Sequence, residues 1–448
     1  MSYDTNRLKQ LDIAHHLHPR TNLKRHAENG PFILAKGDGV HIWDTDGNQY
    51  IDAAAGLWNV NVGHGRSVLA DTAREQINEL DFAPTFFGIS TPPVATLAAK
   101  LAEMYPGSVN HFQFTSGGAE SNETAIKMAR YYQALRGKPD KVKILSRFMG
   151  YHGIAMGALS ATGIPAFWEK FGPRPEGFIH LMAPHAYRNA DGLDEDAFVD
   201  KLIAELEQVI EREGAETIAA MIGEPVQGAG GVVVPPEKYW SRVSEVLKKN
   251  DILLIADEVI TGFGRTGTMW GVEGYDYVPD IVSIAKGITS GYIPLGAVGV
   301  TDEIYETMLE PDAMFMHGFT YSGHPVACAV ANANIKIIED ENLPANAAEQ
   351  GAYLLSRLGE LEGHQNVGNV RGRGLMAMVE IVKDVETKEP FSPADGVGPK
   401  LTAAVRKHGI VPFAADNGIM LSPPLTVTRN EVDQIAEAVR SAIVEVLG

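Results

Sequence analysis

Two hydrophobic patterns alternate along the middle of the chain. From about residue 66 to 325, stretches with apolar residues every three or four positions include SNETAIKMARYYQALRG, DAFVDKLIAELEQVIERE and EKYWSRVSEVLKKN. Between them lie short continuous apolar runs: VKILS, IAAMIGEP, ILLIADEV, DIVSIAK and LGAVGV. The first pattern predicts helices with one buried stripe, the second strands buried on both faces. Their alternation predicts an α/β fold, a mostly parallel sheet with helices on both sides. Before this region, GVHIWDTDGNQYIDAAAG (39–56) sets Asp46-Gly47 between alternating apolar residues, which predicts a hairpin. After it, the helix PVACAVANANIKIIEDE leads into MAMVEIV, GPKLTAAVRKHG, IMLSPP and a closing helix from 429, a smaller α+β unit. The expected divisions are an N-terminal segment (1–65) packing with the small unit, a large unit (66–325) and a small C-terminal unit (326–448). No internal repeat or low-complexity segment interrupts them.

Composition narrows the function classes. The 448 residues are 45% apolar and 21% charged, with 38 basic against 57 acidic side chains and a net charge of −19. Such a surface repels phosphate backbones, so neither nucleic acid nor an anionic membrane is expected as a partner. The single cysteine, Cys328, has no intrachain partner, which fits a reducing compartment. The N-terminal stretch lacks the apolar core of a signal peptide. No run reaches the roughly 18 apolar residues of a membrane span. A soluble, cytoplasmic protein is expected. The fourteen histidines, among them His15, His16 and His18, show no ligand spacing tied to nearby cysteines or acids, so no metal is expected.

Open α/β sheets bind ligands outside the carboxyl ends of their strands, and four polar features fall there. LLIADEVITGFGRTG (253–267) sets Asp257 and Glu258 directly after an apolar run, where an ionised carboxylate is costly without a partner. Glu224 ends another run in IGEPVQGAGG, and Lys286 a third in SIAKGITSGYIPLG. The turn FTSGGAESNETA places Ser116, Gly117, Gly118 and Ala119 between the strand HFQFT and a helix, leaving backbone N–H groups for an anion such as phosphate. Singly, each has an ordinary reading. A Gly-Gly turn before a helix is commonly structural, a lysine after a strand is commonly solvated, and no Gly-Lys-Ser/Thr follows the turn. Together they suit pyridoxal phosphate, which presents an aldehyde to a desolvated lysine, a ring nitrogen to a carboxylate and a phosphate to the amides.

LIADEVITGFGRTG, SIAKGITSGYIPLGAV, GEPVQGAGGVVVPP, MGYHG, HGFTYSGHPVACA and LWNVNVGHGR, spread over residues 57–329, resemble the class III (fold type I) pyridoxal-phosphate aminotransferases, specifically the ω-amine:pyruvate branch. The resemblance implies a large domain with a mostly parallel seven-stranded sheet, a smaller α+β domain, and a homodimer or tetramer with shared active sites. It implies that Asp257 pairs with the protonated pyridine nitrogen and that Lys286 forms the Schiff base and then shuttles a proton. Tyr151 would cover one ring face and Val259 the other, with His152 orienting. Glu224 would fix the neighbourhood of Asp257, Gln227 would lie near the ring hydroxyl, and Thr320 would reach the phosphate from the neighbouring subunit. Glu258, on the other side of its strand, reads as a structural hydrogen-bonder.

Trp58, Phe86, Phe87, Tyr151 and Ala229 match positions lining the substrate cavity, Phe86 and Phe87 coming from the partner chain. Taken as residues alone, the aromatics of DFAPTFFG read as core. Two departures from the family pattern stand out. Where relatives often have Ser-Gly-Ser, this chain has Gly117-Gly118-Ala119, so two hydroxyls are missing. Where ω-amine relatives commonly carry a mobile arginine before a Pro-Pro pair, the position falls near Phe413, and no arginine occurs between Arg406 and Arg429. Arg20 stands where relatives often have an aromatic, and it is the candidate carboxylate partner. The implied reaction takes an amino group from an ω-amino acid or primary amine to a keto acid, pyruvate. A decarboxylase or aminomutase on the same scaffold is the alternative; the intact lysine and aspartate argue against a non-catalytic binding dimer.

Overall fold

The computed structural model describes residues 3–448. Its first strands are β1 (Leu34–Asp38), β2 (His41–Asp44) and β3 (Gln49–Asp52), with β2 and β3 forming the expected hairpin. The turn closes on Asp44, whose Oδ1 accepts from the backbone N–H of Asp46 (3.0 Å) and Asn48 (2.9 Å), with Gly47 at φ +90. Glycine suits that left-handed position, where a side chain is strained.

The central sheet comprises β4 (Val109–Thr115), β5 (Lys143–Arg147), β6 (Phe178–Leu181), β7 (Ile218–Gly223), β8 (Leu253–Asp257), β9 (Ile281–Ile284) and β10 (Gly296–Thr301). Their order is β4-β10-β9-β8-β7-β5-β6, and β10 alone runs antiparallel to its neighbours. Every residue of β7, β8 and β9 is buried, which is why their sequences are continuous apolar runs and not alternations. Successive side chains still divide between two cores, as the pleat requires. Ile144, Ile222, Ile255, Ile281 and Val298 pack with the helix Gly118–Leu135 on one face, while Leu145, Met221, Leu254 and Val282 join the larger core on the other.

The C-terminal region contributes β11 (Val367–Gly372), β12 (Ala377–Ile381), β13 (Ile410–Val411), β14 (Phe413–Ala415) and β15 (Gly418–Leu421). Four of these form a sheet of order β11-β12-β15-β14, packed by the helices Leu343–Gly359 and Val397–Lys407. β13 instead pairs in parallel with β3, Ile410 opposite Ile51, and so ties the N-terminal hairpin to the C-terminal elements. Among the described residues no helix is long and apolar enough to cross a membrane.

The N-terminal histidines depart from the sequence reading. They have an acid partner after all: His16, His18 and His26 all reach Asp12. Asp12 and His16 are one helical turn apart at the end of the helix Thr5–His15, and the following turn and the helix Leu23–Asn29 fold back onto them.

Candidate active site

β8 delivers Asp257 to the carboxyl edge of the sheet with a side chain only 2% exposed. Its Oδ2 lies 2.7 Å from His152 Nδ1 and accepts from Asn122 Nδ2 at 2.8 Å, and its Oδ1 accepts from the Val259 amide at 3.0 Å. Asn122 was not singled out from the sequence. It lies one turn into the helix Gly118–Leu135 and also donates to the His152 carbonyl at 2.8 Å. The spacing Gly118 to Asn122, which puts both on one helix face, was the available signal. Glu258 faces away, as expected. Its carboxylate accepts from the Thr261 hydroxyl and from the amides of Gly271 (2.9 Å) and Val272 (2.9 Å), and burial pushes its pKa up to about 7.

Glu224, just beyond β7, joins two loops. Oε1 accepts from the Tyr151 amide (2.9 Å) and Oε2 from the Gly228 amide (2.8 Å), while burial raises its pKa. Beside it Gln227 donates to the Phe148 carbonyl at 3.0 Å, and its own Oε1 is buried with no partner. A buried acceptor left open is costly and marks a place where a donor is wanted.

Lys286 follows β9 at φ +50, a left-handed conformation that a non-glycine residue adopts at a cost of about 1–3 kcal/mol. The segment is pinned. A Cβ on the next residue, Gly287, would stand 2.6 Å from Asn61 Nδ2, and Asn334 donates to the carbonyls of Gly287 (2.9 Å) and Ile288 (3.0 Å). Desolvation lowers the pKa of the Lys286 amine to about 8, opposed by the charges of Asp257 and Glu224 and aided by Arg265.

Ser116, Gly117, Gly118 and Ala119 form the turn that leads into the helix Gly118–Leu135. One expectation is corrected here: the Ser116 amide is not open, because it donates to Glu120 Oε2 at 2.8 Å. The amides of Gly117, Gly118 and Ala119 head the helix, where first-turn donors lack intrahelical partners. A Cβ on Gly117 would meet open space, whereas one on Gly118 would stand 2.7 Å from Val259 Cγ1. Gly153 lies against Ala119 and has no room for a side chain: a Cβ on Gly153 would approach Ala119 Cβ to 2.7 Å.

Arg20, Ala229 and Phe413 line one cavity of about 560 Å³, together with Met149 and Phe167. The guanidinium of Arg20 sits 4.9 Å from the Phe167 ring centroid, and the Tyr151 ring lies 5.5 Å from Phe167. Trp58 is buried at a left-handed φ of +63, its ring 5.7 Å from Phe413 and its Nε1 without a partner. Phe86, Phe87 and Thr320 do not join this group. The reading of the DFAPTFFG aromatics as core is also wrong: Phe82 and Phe86 are each 37% exposed and Phe87 97%. Phe87 sits at φ +60 in a short turn that throws its ring outward. That turn packs on the segment carrying exposed Thr320, with Thr85 Oγ1 donating to the Ser322 carbonyl at 2.9 Å.

The donor set suits pyridoxal phosphate. A buried carboxylate has only histidine and amide partners, a glutamine acceptor is orphaned, a lysine amine is desolvated, and first-turn amides head a helix beside open space. Comparison with known proteins agrees. The class-III aminotransferase family model matches residues 23–443. The putrescine–pyruvate aminotransferase of Pseudomonas aeruginosa is 42% identical over 440 residues, 98% of this chain and 96% of that one. A solved (S)-enantioselective ω-transaminase from Thermomicrobium roseum is 59% identical, covers 100% of both chains and superposes with a TM-score of 0.99. An amine transaminase from an uncultivated Pseudomonas species, solved in its PLP-bound form, is 43% identical over 96% of this chain and 99% of that one, with a TM-score of 0.94. The chain therefore belongs to the class-III aminotransferases, which depend on pyridoxal phosphate.

Proposed function

We propose that the protein is a transaminase that moves an amino group from a primary amine or ω-amino acid to pyruvate, leaving an aldehyde or ketone and alanine. The observation that carries this reading is the desolvated Lys286 amine set among the same strand ends as the Asp257–His152–Asn122 cluster. When bound, pyridoxal phosphate supplies an aldehyde for the amine and an electron sink for the carbon that loses its proton. Asp257 would keep a proton on the ring nitrogen, its carboxylate held in place by His152 and Asn122. Glu224, through the Tyr151 amide, would steady the Tyr151 ring as a cover for the cofactor, with Val259 as the opposing side chain. Gln227 Oε1, buried without a partner, would accept from the ring hydroxyl. The amides of Gly117, Gly118 and Ala119, with the Ser116 hydroxyl, would hold the phosphate. The Lys286 amine would hold the cofactor through its aldehyde and, once freed, would be the group placed to take up and return the substrate's Cα proton.

A panel of amine donors with pyruvate as acceptor tests the reaction. Alanine is expected, and donor alone should convert the cofactor to its pyridoxamine form. Carbon dioxide release or a shifted amino group without that conversion would instead make the protein a decarboxylase or aminomutase.

The active unit is a homodimer. Phe86, Phe87 and Thr320 share one exposed surface, and that surface supports a second copy whose Thr320 completes the phosphate site and whose aromatics wall the cavity. Phe87→Asp is expected to shift the sedimentation coefficient toward that of a monomer and to lower bound cofactor and activity together. A monomer with full activity overturns the shared-site arrangement. The single cysteine is buried, with its thiol pushed up to about 12 by burial, which supports residence in the reducing cytoplasm.

Arg20 is the carboxylate partner. Phe413 stands where the resemblance puts the arginine common in ω-amine relatives, and Arg20 lines the same cavity with its guanidinium over the Phe167 ring. A guanidinium gives a carboxylate two parallel hydrogen bonds. Arg20→Leu is expected to lower kcat/KM for pyruvate and β-alanine at least tenfold, about 1.4 kcal/mol. An uncharged amine should keep its value in the donor half-reaction. Equal losses for both classes, or none, would reject the assignment.

A further inference from the structure

Transamination leaves one cluster of polar side chains unused. Asp12 Oδ1 lies 2.8 Å from His18 Nε2 and 2.9 Å from His26 Nε2, and Asp12 Oδ2 lies 3.2 Å from His16 Nδ1. The His16 and His18 ring centroids are 4.0 Å apart, and those of His18 and His26 4.3 Å. The group is partly sheltered: the side chains of His26, Asp12 and His18 are 10%, 21% and 24% exposed, while His16 faces solvent at 58%. Three imidazoles thus converge on one carboxylate, which they hold below its usual pKa range, the His18 hydrogen bond foremost. Each side chain comes from a different place: Asp12 from a helix, His16 from its C-cap, His18 from the turn beyond and His26 from the next helix.

We propose that Asp12, His16 and His18 form a binding site for one divalent transition-metal ion of the zinc class, with His26 orienting the Asp12 carboxylate. The donor chemistry favours that class. Imidazole nitrogens with one carboxylate suit zinc, nickel or copper, whereas magnesium and calcium seek all-oxygen shells. The distances agree. Zinc binds histidine nitrogen at about 2.0–2.1 Å and carboxylate oxygen at about 2.0–2.2 Å in a tetrahedron, so its donor atoms stand about 3.3–3.5 Å from one another. The Asp12, His16 and His18 donor atoms all lie within 4.8 Å of one another. Small rotations, chiefly of the exposed His16, close the difference. His26, bonded to the Asp12 oxygen that also meets His18, does what such outer partners do in metal sites: it fixes the direction of a ligand carboxylate. The fourth position is left to water.

The position of the cluster gives metal binding a consequence. Residues 19–22 run between His18 and the helix that carries His26, and Arg20, in that stretch, lines the substrate cavity. An ion held by Asp12, His16 and His18 clips the preceding helix to the start of this stretch and restrains it. The binding site does not depend on the transaminase reading, since a chain inactive toward every amine would still take up zinc.

Isothermal titration of the untagged holoenzyme with zinc chloride tests the site. One equivalent per chain is expected to bind, with magnesium chloride giving no competing heat. Asp12→Asn and His18→Ala are expected to weaken binding by about 10–100-fold, and the surface change His408→Ala to leave it unaltered. Because the ligand variants could loosen the N-terminus by themselves, hydrogen exchange of residues 12–26 is followed with and without zinc. Zinc should slow exchange there in the wild-type chain and not in the variants. Failure to saturate at millimolar zinc, equal affinity in all variants, or unchanged exchange on zinc addition would each overturn the proposal.

Discussion

Lys286→Ala is expected to remove transamination almost completely while leaving the cofactor bound. A positioned acid–base group contributes about 10²–10⁴-fold to a rate, and in the proposed reaction Lys286 is also the covalent hold on the aldehyde, so kcat/KM for any amine donor with pyruvate should fall by at least the upper part of that range. The elements assigned to phosphate and ring are untouched by the change. Gel-filtered variant should therefore retain pyridoxal phosphate, but borohydride reduction should fix cofactor mass to Lys286 in the wild-type chain and to no lysine in the variant. The pH profile follows from the same group. Desolvation lowers the pKa of the amine to about 8, and in the proposed reaction the unprotonated amine is the base. Its share therefore rises with pH, so the donor half-reaction should climb toward a plateau above about 8 and fall away as the pH drops below it. Retained activity in the alanine variant would remove Lys286 from the chemistry altogether.

Why the sequence announced Lys286 so clearly, and other parts of the site hardly at all, follows from where the physical constraints act. A parallel strand buried on both faces has to be a continuous apolar run, so β7, β8 and β9 are visible as such, and the first polar residues after them mark the sheet edge where ligands bind. Asp257, Glu224 and Lys286 stood out for that reason. Asn122 did not, because nothing local distinguishes it from the other polar residues of a helix N-terminus; its partner Asp257 is 135 residues away. The DFAPTFFG aromatics were misread because apolar content reports a preference for burial and not which surface supplies it: Phe87 is 97% exposed on its own chain. The Asp12 histidines were misread for a related reason. A ligand-spacing rule looks for local pairs, and here a turn and a second short helix bring His18 and His26 back to an aspartate on the first. In the phosphate turn, the glycine at 118 has a packing cause that only three dimensions show, because a Cβ there would meet Val259, whereas one at Gly117, where a family hydroxyl is missing, would meet open space.

Asp257→Asn carries the second large effect. The substitution keeps the size of the side chain and removes its charge, in a place where Asp257 is 2% exposed and no lysine or arginine bonds to it among the described residues. Two consequences combine. A neutral amide cannot keep a proton on the ring nitrogen, so electrons are drawn less strongly from the carbon being deprotonated. Loss of one preorganised electrostatic partner costs about 2.7–4 kcal/mol of transition-state stabilisation, or about 10²–10³ in kcat. The amide also fits its surroundings poorly. Oδ2 of the carboxylate accepts from Asn122 and bonds His152, and an asparagine Nδ2 turned that way would present a donor to a donor, leaving the pair to reorganise or one group unsatisfied. Cofactor retention should therefore fall along with turnover, which equilibrium dialysis reads separately from kcat. Asn122→Ala distinguishes the two causes, since it keeps the charge and removes only one donor. It should lose far less activity than Asp257→Asn, and both variants should melt cooperatively if the sheet edge is intact. An Asp257→Asn enzyme within tenfold of wild type in kcat, with full cofactor, would show that the ring nitrogen has no need of this carboxylate.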